Sequence, residues 1–84
     1  MSQVIITTKY IIKDKKDILT VIHDEEGDWQ FLGEEEITEE DALVISLDQI
    51  LKHDLTLKQI VGIPKGTIAV RTSITANWEL KDIN

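Results

Sequence analysis

The chain has no cysteine, one proline, four glycines and four aromatic residues. Without cysteine there is neither a disulfide framework nor a thiolate metal site, so the fold holds by packing alone. The glycines are scattered and lack the spacing of a phosphate-cradling loop; Gly62-Ile63-Pro64-Lys65-Gly66 reads as a turn. No apolar run approaches the roughly 20 residues that cross a bilayer. The N-terminal MSQVIITTKY shows no basic stretch leading into an apolar one with a small-residue cleavage site. Both features point to a cytoplasmic protein. The last absence is the most informative: residues 17–51 contain no lysine or arginine.

What that segment holds instead is carboxylate. Between Asp24 and Asp41 there are ten acidic side chains. The charge is +3 over residues 1–16, −12 over 17–51 and +2 over 52–84, for a net −7. Phosphate attachment needs clustered cations, so this distribution argues against nucleic acid and against anionic membranes. It favours a basic protein partner, attracted by steering that weakens with salt. The alternative is that the acids only keep a small domain soluble and its strand edges unpaired. The partner reading requires the acids to gather into one patch in the fold.

Eighty-four residues make one domain, with 42% apolar content sufficient for a core. Val4 to Ile12 reads as extended, rich in β-branched residues. Asp14-Lys15-Lys16-Asp17 makes a polar turn, and Ile18 to His23 resumes period-two alternation. Glu25-Glu26-Gly27-Asp28 is a second turn, in which Gly27 supplies positive φ. Trp29 and Phe31 then share one strand face. Three extended segments joined by short turns predict an antiparallel meander.

Further on, Ser46-Leu47-Asp48-Gln49 fits a capping box, with Leu47, Ile50 and Leu51 on one helical face. Ala42 to Ile45 is then a short buried strand feeding that helix; a single longer helix from Thr38 is the other possibility. Thr56 to Gln59 repeats the capping pattern, Thr67 to Thr72 predicts a strand, and Trp78 and Leu80 a last short one. The expected architecture is α+β: a curved, mainly antiparallel sheet of about five strands with one or two short helices on one face.

Catalytic chemistry finds little support. A nucleophile needs a base within hydrogen-bond reach and a third group to orient that base. Ser46 has a capping role, His23 sits at a strand end, and His53 suits the negative end of a helix. General acid–base work needs two carboxyls in unlike environments, whereas Glu34-Glu35-Glu36 reads as a solvated face. Asp24, Glu26, Asp28 and Glu35 match positions 1, 3, 5 and 12 of a calcium loop, but Trp29 stands where the essential glycine belongs. The expectation is therefore no enzyme, no cofactor and no dedicated metal site. Trp29, flanked by carboxylates on both sides, is an apolar anchor ringed by negative charge if it is exposed.

V-I-H-D-E-E-G-D-W-Q-F-L-G-E-E-E, then L-V-I-S-L-D-Q-I-L-K-H-D-L-T-L and P-K-G-T-I-A-V-R, resemble a small bacterial family of immunity-protein-like domains of unknown function. The resemblance spans about Val4 to Arg71. It implies a compact α+β binder that neutralises a toxin, with no catalytic residues. The expected partner-binding residues are Asp24, Glu25, Glu26, Asp28, Trp29, Glu34, Glu35 and Glu36, facing a basic, toxin-like protein. A structural or accessory homodimer formed through an unpaired strand edge is the competing expectation, and a small carboxylate-dependent enzyme is the third.

Overall fold

The computed structural model describes residues 3–83. It is α+β: a six-stranded mixed sheet in the order β4-β1-β3-β2-β5-β6, with a few short helices. The strands are β1 (Val4–Thr8), β2 (Thr20–His23), β3 (Trp29–Leu32), β4 (Ala42–Ser46), β5 (Thr67–Val70) and β6 (Glu79–Asp82). There are two α-helices, α1 (Lys9–Ile12) and α2 (Leu47–His53), with 3-10 turns at Glu39–Asp41, before β4, and Leu55–Gln59, after α2. No helix among the described residues is long and apolar enough to cross a membrane.

The first expected strand ends early. Tyr10 to Ile12 is helical because the Thr8 hydroxyl accepts the Ile11 amide at 3.3 Å, and the turn closes through Lys13 N–H to Lys9 O at 2.8 Å. Burying Ile11 completely outweighs the β preference of a Tyr-Ile-Ile run. That helix and the loop after it carry the chain past a strand position, so β1 does not pair with β2 as a meander requires. It lies parallel to β3, with Ile6 opposite Gln30, while β2 and β3 form the antiparallel hairpin. Four of the five strand pairings are antiparallel, and β1–β3 is the parallel one.

The hairpin turns through Gly27 at φ 94°, a conformation that L side chains seldom adopt. The capping box forms as the sequence indicates: Ser46 Oγ accepts the Gln49 amide at 3.1 Å and Gln49 Oε1 accepts the Ser46 amide at 3.0 Å. The longer helix from Thr38 does not form; Thr38 opens only the 3-10 turn before β4. The second helical segment is a 3-10 turn capped by Asp54, two residues earlier than the Thr56 pattern predicts.

One face of the sheet carries Ile5, Val21, Trp29, Phe31 and Ala69, all buried. Ile50, Leu57, Ile60 and Ile63 from α2 and the segment after it pack on that face, and Ile11 and Ile18 complete the cluster. The far end of this core is tied by Arg71, the only arginine. Its Nε and Nη2 donate to Ile18 O at 3.0 and 2.8 Å, its Nη1 to Thr56 Oγ1 at 2.9 Å and Ile74 O at 3.3 Å, and Nη2 pairs with Asp54 Oδ2 at 2.8 Å. The Trp78 ring lies 4.1 Å from the guanidinium carbon, closing the fork from above. A planar fork with five donors meets this geometry and a lysine does not.

Candidate protein-binding surface

The acidic segment folds into two clusters. Because β3 runs from Trp29 to Leu32, the hairpin turn at residues 24–28 lies at one end of the sheet and residues 33–41 at the other. At a rise of roughly 3.3 Å per residue, a four-residue strand puts on the order of 10 Å or more between them. The single patch expected from sequence does not form, and the reading in which the acidic segment is itself the seat of a basic partner falls with it.

At the hairpin end, Asp24 Oδ1 accepts the amides of Glu26 and Asp28, each at 2.9 Å, so this carboxylate shapes its own turn. Gln3 Nε2 donates to Gly27 O at 2.9 Å, and the Lys65 stem passes over Gly27, close enough that a Cβ there would sit 3.1 Å from Lys65 Cε. A cation thus overlies the acidic turn. Glu25, Glu26 and Asp28 are exposed.

At the far end, Glu34 and Glu35 line an open groove of ≈ 290 Å³ together with Lys15, Lys16 and Asp17. Glu36, Glu39 and Glu40 are exposed, whereas Asp41 is buried. Asp41 Oδ2 accepts the Thr38 amide at 3.1 Å and the Tyr10 hydroxyl at 3.2 Å, and Oδ1 pairs with Lys9 Nζ at 3.1 Å. The Thr38 amide, then Lys9, hold the Asp41 carboxyl below the ordinary range, and the hydrogen bond to Asp41 raises Lys9. Burial, then the Asp41 charge, raises Tyr10. The lysines of the basic N-terminal segment therefore share this end with the second acidic cluster.

Trp29 is not an anchor. It is 4% exposed, stacked on His23 at 3.9 Å between ring centroids and on Phe31 at 5.9 Å. Strand alternation points it with Phe31 into the covered face, and that outweighs its acidic neighbours in the sequence. His23 Nδ1 lies 2.9 Å from Ile63 O, which fixes the ring against the core as a donor.

The surface that sequence reasoning missed is the other face of the sheet. Val4, Ile6, Ile22, Leu32, Val44, Ile68 and Val70 alternate with the core residues and point away from the helices. Val44 is 67% exposed, Val4 65% and Ile6 37%. Thr20, Gln30 and Ser46 share this face, and among the described residues its only charged side chains are Glu79 and Lys81, both on edge strand β6. An antiparallel sheet with one bare face normally alternates apolar and polar; apolar residues on both faces belong to sheets covered on both sides. The signal was present in Val4-Ile5-Ile6, Leu43-Val44-Ile45 and Ile68-Ala69-Val70, which are apolar at every position.

The buried ionic cluster around Arg71 is structural. Burial is the largest single influence on Asp54 and pushes its carboxyl up. Hydrogen bonds from the Thr56 hydroxyl and amide, with Arg71, outweigh it and hold the group below the ordinary range. Comparison with protein families, with curated proteins and with solved structures gave no match.

Proposed function

We propose that this chain is a non-catalytic protein-binding domain that presents the open face of its sheet to a basic partner. The observation that carries this reading is a six-stranded sheet with helices on one face and, on the other, a largely aliphatic surface whose charged side chains, Glu79 and Lys81, lie on edge strand β6. Contiguous exposed apolar surface marks interaction sites. An apolar centre with a polar rim is the ordinary anatomy of a protein interface. The acids at the two ends of the strands frame that centre, so the negative charge acts as rim. Glu26, Asp28, Glu36, Glu39 and Glu40 steer and select a cationic partner, while contact area comes from the aliphatic face. The resemblance to immunity-protein-like domains supports the same kind of activity, occupation of another protein's surface without chemistry.

The test is partner capture from native extract at low and high salt, with Ile22→Lys and the milder Ile68→Thr as face variants and circular dichroism to confirm folding. Capture that both variants reduce and that salt weakens is the expected result. Capture indifferent to either variant removes the reading. The uncharged edge of β4 also favours a second reading, self-association. Salt separates the two: copies carrying −7 each associate better as salt rises, whereas a basic partner binds less well.

A further inference from the structure

We propose that the free edge of β4 accepts an extended strand of the partner, a segment with an aliphatic centre and Lys or Arg at its C-terminal end. This deepens the protein-binding reading and rests on it.

The ladder between β1 and β4 shows which backbone groups are open. Leu47 N–H donates to Gln3 O at 2.7 Å, which makes Gln3–Leu47 a hydrogen-bonded pair. Antiparallel alternation then makes Ile5–Ile45 and Thr7–Leu43 hydrogen-bonded as well, so the backbone groups of Ala42, Val44 and Ser46 point away from β1. Some of these are taken. Ala42 N–H donates to Glu39 O, and Ser46 N–H donates to Gln49 Oε1. The Ser46 carbonyl, at the N-cap, receives the first bond of α2. Among the described residues, three groups on this edge have no partner: the Ala42 carbonyl and both groups of Val44.

An antiparallel strand meets them with three hydrogen bonds. The residue opposite Val44 donates and accepts, and the residue two places further on donates to the Ala42 carbonyl. The side chain opposite Val44 lands on the same face as Val44, Val4 and Ile6, the most exposed part of the aliphatic surface. Beyond Ala42 the ladder ends, and the C-terminal end of the added strand comes out beside the 3-10 turn that carries Glu39 and Glu40, both exposed. Cations there complete the match. A second copy, with its own net −7, is repelled by the same charges that favour a basic segment.

The probe is a synthetic peptide of alternating valine and threonine ending in two lysines, with an otherwise identical peptide ending in two glutamates as control. Each is titrated into the full chain and followed by amide chemical shifts. Expected are shifts and slowed hydrogen exchange centred on Val44 with the lysine peptide, and binding about tenfold weaker or absent with the glutamate peptide. Val44→Lys removes the response, and Glu39→Lys with Glu40→Lys weakens it about fivefold. Equal binding of the two peptides, shifts centred on β6 or residues 24–28, or a Val44→Lys chain that still binds, overturns the proposal. If the peptide leaves Val44 unmoved while partner capture still depends on Ile22 and Ile68, the strand site falls and the face reading stands. If capture is also indifferent to those residues, both fall.

Discussion

The two edges of the sheet are built in opposite ways. β6 reads Glu-Leu-Lys-Asp, with every residue exposed and three of the four charged. β4 reads Ala-Leu-Val-Ile-Ser, with none charged. Charged side chains on an edge strand discourage pairing with another chain, because a pairing strand must desolvate them. β6 carries that protection and β4 does not. The ion pairs near the two edges differ as well. Arg71 and Asp54, beside β5 and β6, have side chains 1% and 8% exposed, whereas Lys9, which pairs with Asp41 beside β4, is 44% exposed. One side of the sheet is guarded by charge and by a buried ion pair; the other offers backbone and aliphatic surface.

The largest effect expected from disturbing this contrast is at the closed side. Asp54→Ala leaves the Arg71 guanidinium buried without its counter-charge, and breaking a buried pair from one side costs about 3–5 kcal/mol. Urea denaturation measures it, and in a domain this small much of the total stability goes. Acid acts on the same group more gently. The folded Asp54 carboxyl lies below its unfolded value of about 3.9. Its contribution is therefore present above that value and lost as pH falls through the folded one. The urea midpoint should drop below about pH 4, and the Asp54→Asn chain, already weaker, should lose less over that window. Removing the protection of the charged edge, with Glu79→Val and Lys81→Val, should give β6 the character of β4 and produce self-association in sedimentation. The smallest effect belongs to Lys9→Met: its ammonium is half in solvent, and Asp41 keeps the Thr38 amide and the Tyr10 hydroxyl, so the thermal midpoint should move little.

Much of this was legible in the sequence, and the parts that were not share a cause. The turn at Gly27, the strand Trp29–Leu32, the capping box at Ser46 and the existence of the strand feeding α2 all follow from residues within four positions of one another, although that strand is a partly exposed edge and not the buried one its apolar run suggested. The parallel partnership of β1 and β3 does not, because it depends on a four-residue helix whose sequence favours strand and which exists to bury Ile11. The division of the acids was available in principle, since a strand lying between two acidic turns separates them along its length. Trp29 misled because its sequence neighbours are charged, yet alternation sends the side chain away from theirs. Arg71 left one usable sign: a chain with eight lysines keeps a single arginine, at a place where a planar fork is needed.

The position of β1 between β3 and β4 has a consequence for how the polypeptide acquires its shape. Ile6 finds its neighbour at Gln30, and Val4 finds its own at Ser46, so β1 is flanked by two strands that lie much later in the chain. During synthesis that segment leaves the ribosome with both sides vacant. The β2–β3 hairpin, whose ends meet at His23 and Trp29, closes over a short loop and needs no such delay. Long-range closure slows folding. Docking of the first strand should therefore be the late, rate-setting event, and a short-lived intermediate with β1 still free is the species most exposed to aggregation.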